Sequence, residues 1–122
     1  VAIHDGVRPL ISNEVITNAF EAAEKFGSGI AAVPLKDSIR RIAGSQNMAV
    51  DRSQYWSIQT SQTFNFASIS KAYETNFSPE FTDDATVMEK DGNNIHLVQG
   101  DYKNIKITTK EDLVIAAAFL HE

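Results

Sequence analysis

The 122-residue chain has no cysteine, which removes disulfide staples, thiolate metal ligands and thiol nucleophiles together. That absence fits the reducing cytoplasm, the location expected for the chain. No apolar run approaches the ~20 residues needed to span a bilayer, so no membrane partner is expected. Basic side chains are outnumbered, 11 against 16 acidic, for a net charge of −5. A chain of that balance is a poor match for duplex nucleic acid, whose phosphates call for a basic face. Glycine is sparse, with six residues, and none forms the clustered loop that cradles nucleotide phosphates. The serines lack a nucleophile-elbow context, and His4, His96 and His121 lie far apart, without metal-ligand spacing. What is present, 43% hydrophobic and 22% charged residues, is the composition of one globular domain that buries roughly two-thirds of its chain surface.

The chain opens on strand-like residues with no initiator methionine and reads as a piece of something longer. Residues 1–4 form a short buried strand, and Asp5-Gly6 supplies the turn that ends it. Ser12 or Asn13 caps a helix whose apolar positions Ile16, Ala19, Phe20, Ala23 and Phe26 recur three or four apart, until Gly27 stops it. Residues 29–33 read as a second buried strand. Strand–helix–strand predicts a parallel pair with a crossover, part of an α/β sheet. From Pro34 onward the pattern changes. Residues 35–42 and 48–56 alternate loosely around a turn-rich gap, which predicts a hairpin arm over about 34–59 carrying Lys36, Arg40, Arg41 and Arg52. A ribbon so charged has little apolar face, and two isolated strands are marginal in water. The arm is therefore expected to lean on the parent domain or on a second subunit, with Tyr55 and Trp56 packed.

Beyond the arm, a short strand at 57–60 and a helix at 64–73 are predicted. Thr82 caps a further helix with Asp83 and Asp84 in its first turn, and strands follow at 95–98 and 104–108. Thr108-Thr109-Lys110-Glu111 matches a capping box, with Glu111 reaching back to the cap. The apolar run over 113–120 predicts a well-buried terminal helix.

Several residues stand out chemically. Asp5 follows a strand end, where open α/β sheets bind ligands, and Arg8 is placed to clamp a phosphate. Asp5 serves equally as a turn cap, with Arg8 solvated. The arm cations suit phosphate binding or simply protect an edge from aggregation. Lys106, at a predicted strand end beside a helix N-terminus, suits phosphates or stands exposed. Asp83 and Asp84 complement a helix dipole better than they make an acid–base pair. His4 reads as a hydrogen-bonded structural histidine.

The order of the motifs carries more than any one of them. His4-Asp5-Gly6-Val7-Arg8-Pro9, Val33-Pro34-Leu35-Lys36-Asp37-Ser38-Ile39, Val50-Asp51-Arg52-Ser53, Gln59-Thr60-Ser61-Gln62-Thr63-Phe64, Thr82-Asp83-Asp84-Ala85 and Asn104-Ile105-Lys106-Ile107-Thr108 succeed one another along the whole chain. In this the sequence closely resembles the carboxyl-terminal portion of the 2-C-methyl-D-erythritol 4-phosphate cytidylyltransferase family. The resemblance implies an α/β fold, a partial Rossmann-like nucleotidyltransferase sheet with a protruding β-hairpin arm, making residues 1–122 part of one domain. It implies cytidylyl transfer from CTP to a sugar-alcohol phosphate, with Mg²⁺ on the triphosphate and a homodimer joined through the arm. Asp5 would lie near the metal and the substrate hydroxyls, Gly6 would leave room for the nucleotide, and Arg8 would contact substrate. Ser38 and Arg52 would grip the substrate phosphate, Arg52 across the dimer. Thr60 would add a hydroxyl contact, and Lys106 would stabilise phosphate charge in the transition state.

The chain departs from the family in three places. Ser38 stands where Thr is usual, which keeps the hydroxyl. Ser61 replaces a proline and is expected to loosen the backbone beside Thr60. The family's glycine-rich nucleotide loop would precede Val1, so the segment alone is expected to be inactive. Two alternatives remain at this level: a ribitol 5-phosphate cytidylyltransferase, which shares most of these motifs, and a non-catalytic dimerisation module.

Overall fold

The computed structural model describes residues 1–76 and 78–122. The chain forms β1 (Ala2–Ile3), α1 (Asn13–Phe26), β2 (Ser28–Pro34), β3 (Arg40–Ala43), β4 (Gln46–Ala49), β5 (Trp56–Phe64), α2 (Phe66–Asn76), α3 (Asp84–Lys90), β6 (Leu97–Gln99) and α4 (Lys110–Leu120). Ser12 starts α1 by accepting the Val15 amide on its side chain. Gly27 ends it in the left-handed region at φ 92°, which a Cβ would strain.

Four strands make one mixed sheet in the order β1-β5-β2-β6. The strand–helix–strand unit is present and its two strands run parallel to each other as predicted, but they are not neighbours in the sheet. β5 lies between β1 and β2 and runs antiparallel to both, and the parallel neighbour of β2 is β6. β2 owes its central place to composition. Ile30, Ala31 and Ala32 are apolar on both faces, and all three are fully buried. On one face Gly29 lets α1 approach closely, because a Cβ there would fall 2.1 Å from the carbonyl oxygen of Ala19. On the other, Ile30 and Phe64 pack with Ile69 and Ala72 of α2 and with Ala85, Val87 and Met88 of α3.

Elsewhere the pattern misleads. β5 runs nine residues, well past the predicted 57–60. Residues 104–108 form no ladder; Ile107 instead donates its amide to the Val7 carbonyl at 2.9 Å. Asp83, not Thr82, caps α3, accepting the Thr86 amide. The capping box of α4 lies one residue further on, with Thr109 as cap and Asp112 as the reciprocal acid. Backbone N–H groups of Thr108 and Thr109 hold the Asp112 carboxyl below the usual carboxylate range. α4 is not buried as predicted: Ala116 is, while Leu113, Val114, Ile115 and Leu120 stand exposed. Tyr55 and Trp56 are likewise exposed. The hairpin β3–β4 is short, four residues a side, and every one of its strand residues faces solvent.

Candidate active site

The site is built where the chain leaves β1, beside the middle of β5. Residues 5–8 make a tight turn in which the Arg8 amide donates to the Asp5 carbonyl at 3.1 Å. The Arg8 side chain folds back over that turn. Its Nε donates to Asp5 Oδ2 at 3.2 Å, and Nη1 donates to the Asn104 carbonyl at 2.7 Å. The Arg8 side chain is 12% exposed and that of Asp5 36%, so Arg8 is largely enclosed while Asp5 still meets solvent.

β5 reaches the site through a bulge. Its register against β2 passes from Ile30↔Gln62 to Ala32↔Ile58, so residues 59–61 do not follow the two-residue alternation of a regular strand. A bulge re-aims side chains in this way. Gln59, Thr60, Ser61 and Gln62 are consecutively buried, a polar run that a regular half-buried strand would not contain. Three polar side chains here tie the fold together. Gln59 exchanges two hydrogen bonds with the backbone of Asp101, donating from Nε2 at 2.9 Å and accepting on Oε1 at 3.3 Å. Gln62 accepts the Ala85 amide at 3.0 Å and so ties β5 to the start of α3. Asn104 is fully buried and donates to the Thr60 carbonyl at 2.7 Å. It thereby pins the stretch carrying Lys106 to the strand carrying Thr60.

The outcome is a polar cleft of about 300 Å³ whose walls include Asp5, Arg8, Thr60, Asp83, Asp84 and Lys106. A neighbouring groove of about 450 Å³, at the root of the arm, shares Arg8 and Lys106. Tyr102 ties that root down by donating its hydroxyl to the Pro34 carbonyl at 2.7 Å, and the Lys36 ammonium lies 4.3 Å above its ring. At the far wall, Asp84 accepts the hydroxyl of Tyr73. Burial, together with that carboxylate, pushes the Tyr73 phenol up to about 12.

Four residues singled out from the sequence, Asp5, Arg8, Thr60 and Lys106, therefore line one cleft. Gly6, Ser38 and Arg52 do not. Ser38 and Arg52 are exposed on the arm, where Arg52 donates to the Lys36 carbonyl, and Gly6 has open space around its α-carbon. Gln59, Gln62 and Asn104 were missed as site-builders; the buried run of polar residues in β5 was the signal for the first two. Asp83 and Asp84 keep the helix-start role read for them and also line the cleft. His4 is hydrogen-bonded as expected, although it is exposed rather than buried. Among the described residues no group of three or more His, Asp or Glu side chains could hold a metal ion. No helix among them is long and apolar enough to cross a membrane.

Residues 1–122 match the family model of 2-C-methyl-D-erythritol 4-phosphate cytidylyltransferase. The chain belongs to that family. The cytidylyltransferase of Bacillus thuringiensis is 43% identical over 124 residues, covering 99% of this chain and 55% of the relative. That of Caldanaerobacter subterraneus is 45% identical over 127 residues, covering 100% of this chain and 56% of the relative. Among solved structures, the Thermus thermophilus cytidylyltransferase superposes with a TM-score of 0.90 at 30% identity, covering all of this chain and 62% of that one. The 4-diphosphocytidyl-2C-methyl-D-erythritol synthase of Anaerococcus prevotii gives 0.89 at 35% identity, covering all of this chain and 58% of that one. This agreement supports the partial nucleotidyltransferase sheet expected from sequence. The chain spans about half the length of the curated relatives it matches.

Proposed function

We propose that the full-length protein carrying this chain transfers the cytidylyl group of CTP to 2-C-methyl-D-erythritol 4-phosphate, as a cytoplasmic step of isoprenoid biosynthesis. The observation that carries this reading is the convergence of Asp5, Arg8, Thr60 and Lys106 on one cleft in a chain of this family. In the reaction a phosphate oxygen of the sugar alcohol bonds to the α-phosphorus of CTP while the bond to the bridging oxygen breaks, and pyrophosphate leaves. Such in-line transfer needs positioning and charge neutralisation more than covalent help. Arg8, braced on Asp5 and Asn104, presents a fixed guanidinium for phosphate oxygens. Lys106, exposed at the cleft wall, offers a second positive charge to the reacting phosphates. Asp5 keeps carboxylate surface open toward hydroxyls of the sugar alcohol.

The donor set suits a Mg²⁺ ion that arrives on the triphosphate. Hard oxygen from one carboxylate, Asp5, is typical for a metal otherwise held by phosphates and water. Bound there, the ion would neutralise triphosphate charge. Gly6 would leave space for the nucleotide. Ser38 and Arg52 lie outside the cleft on an arm that buries none of its strand residues. That placement supports a homodimer in which the arm delivers both residues to a partner's substrate phosphate.

The test is pyrophosphate release by the full-length protein with CTP and Mg²⁺, comparing methylerythritol 4-phosphate with ribitol 5-phosphate. Release with methylerythritol phosphate alone is expected. Preference for ribitol phosphate would move the substrate and keep the mechanism, and failure to bind CTP at all would make the chain an interaction module.

A further inference from the structure

His4 lies just outside the cleft, yet both of its ring nitrogens are engaged. Nε2 stands 2.8 Å from the carbonyl oxygen of Arg8. A carbonyl can only accept, so Nε2 carries the proton. In the neutral ring Nδ1 is then an acceptor, and the Thr60 hydroxyl lies 3.0 Å from it. That hydroxyl also receives the Asp5 amide at 2.9 Å. The directions are thereby fixed along the whole chain of hydrogen bonds. Asp5 N–H donates to Thr60 Oγ1, Thr60 Oγ1–H donates to His4 Nδ1, and His4 Nε2–H donates to Arg8 C=O. The two cleft residues Asp5 and Arg8 sit at opposite ends of it.

We propose that His4 is a positioning residue that sets the polarity of Thr60, making its hydroxyl an acceptor toward the cleft. This rests on the cytidylyl-transfer reading above. A hydroxyl has one hydrogen and two lone pairs. With the hydrogen committed to His4 and one lone pair to the Asp5 amide, a single lone pair remains for substrate. Phosphate oxygens have no proton to give it. A hydroxyl group of the sugar alcohol does. Thr60 thus selects the polyol part of the substrate, and the phosphate is left to the cations Arg8 and Lys106.

The two amide side chains separate the roles of the two nitrogens. His4→Asn places an acceptor near the Nδ1 position but does not reach the Arg8 carbonyl. His4→Gln reaches that carbonyl as a donor and leaves Thr60 without its acceptor. In the full-length protein, His4→Gln is expected to raise KM for the sugar-alcohol phosphate about tenfold, as befits one mispointed hydrogen bond, with KM for CTP unchanged. His4→Asn should recover to within about threefold of the parent, and Thr60→Val should erase the difference between the two. Nitrogen NMR of the His4 ring, recorded above the ordinary imidazole range, should show the proton on Nε2 and a shift of Nδ1 in Thr60→Val. A proton on Nδ1, equal kinetics for Asn and Gln, or a joint rise of both KM values with a falling melting temperature would each overturn the assignment. If the parent protein transfers no cytidylyl group, the functional reading falls, and the ring spectrum alone decides whether His4 orients Thr60.

Discussion

Gly29 shows how one missing side chain sets the spacing of a layer. A methyl group there would lie 2.1 Å from the Ala19 carbonyl oxygen and 2.9 Å from its carbonyl carbon. Both are backbone atoms of α1, so no rotamer change relieves the clash, and the whole helix must lift from β2. Gly29→Ala is expected to cost about 2–3 kcal/mol, the upper range for forced overpacking. Urea unfolding of the full-length protein would check it, and a midpoint within error of the parent would mean that α1 is not seated this closely. The site residues were legible from the sequence in proportion to how local their setting is. Asp5 and Arg8 sit in a four-residue turn that Asp5-Gly6 announces. Asn104 was not legible, because its amide serves Thr60, 44 positions away along the chain.

Elements followed the same rule. α1 and β2 were readable because periodicity, a cap, a terminating glycine and a doubly apolar run all agreed. Residues 104–108 alternate like a strand but form no ladder; a single backbone bond, from Ile107 to Val7, links them to the residues after β1, and alternation alone does not make a strand. α4 has the composition of a core helix, yet burial requires a surface to pack on, and its apolar residues meet little of one. β5 escaped a clean reading because its bulge breaks the two-residue period just where the cleft residues lie. The apolar packing of α2 on α3 carries one polar joint, in which Tyr73 donates to Asp84. The folded state holds the phenol proton up to about pH 12, against 10.0 for the free side chain. Stability from this joint is complete below pH 10, then declines as pH rises through the folded value near 12. Lysines titrate in the same window, so the useful quantity is the difference between the parent and Tyr73→Phe. The parent should lose more stability than the variant between these limits, measured as denaturation midpoints. Parallel curves would show that Tyr73 is not held by Asp84.

At the scale of the whole molecule, the exposed hairpin and the cleft pose one question, namely whose site the arm serves. The β3–β4 ribbon buries no strand residue, and Arg52 beside it does not line its own cleft, whereas Lys106 does. If the arm of one subunit completes the partner's site, Arg52→Ala and Lys106→Ala damage different subunits' contributions to each active site. Each variant alone is expected to be nearly inactive. In a mixed dimer, however, the subunit carrying Arg52→Ala keeps its own Lys106 and receives an intact Arg52 from the other. Random pairing of equal amounts makes half of the dimers mixed, each with one intact site of two, so about a quarter of parental activity should return. The recovery should require subunit exchange and follow its time course. If the arm folds back on its own cleft instead, each subunit carries one lesion in its own site, and the mixture regains nothing beyond the average of the two variants. The same pair of proteins therefore decides both the direction of the arm and whether the dimer is the catalytic unit.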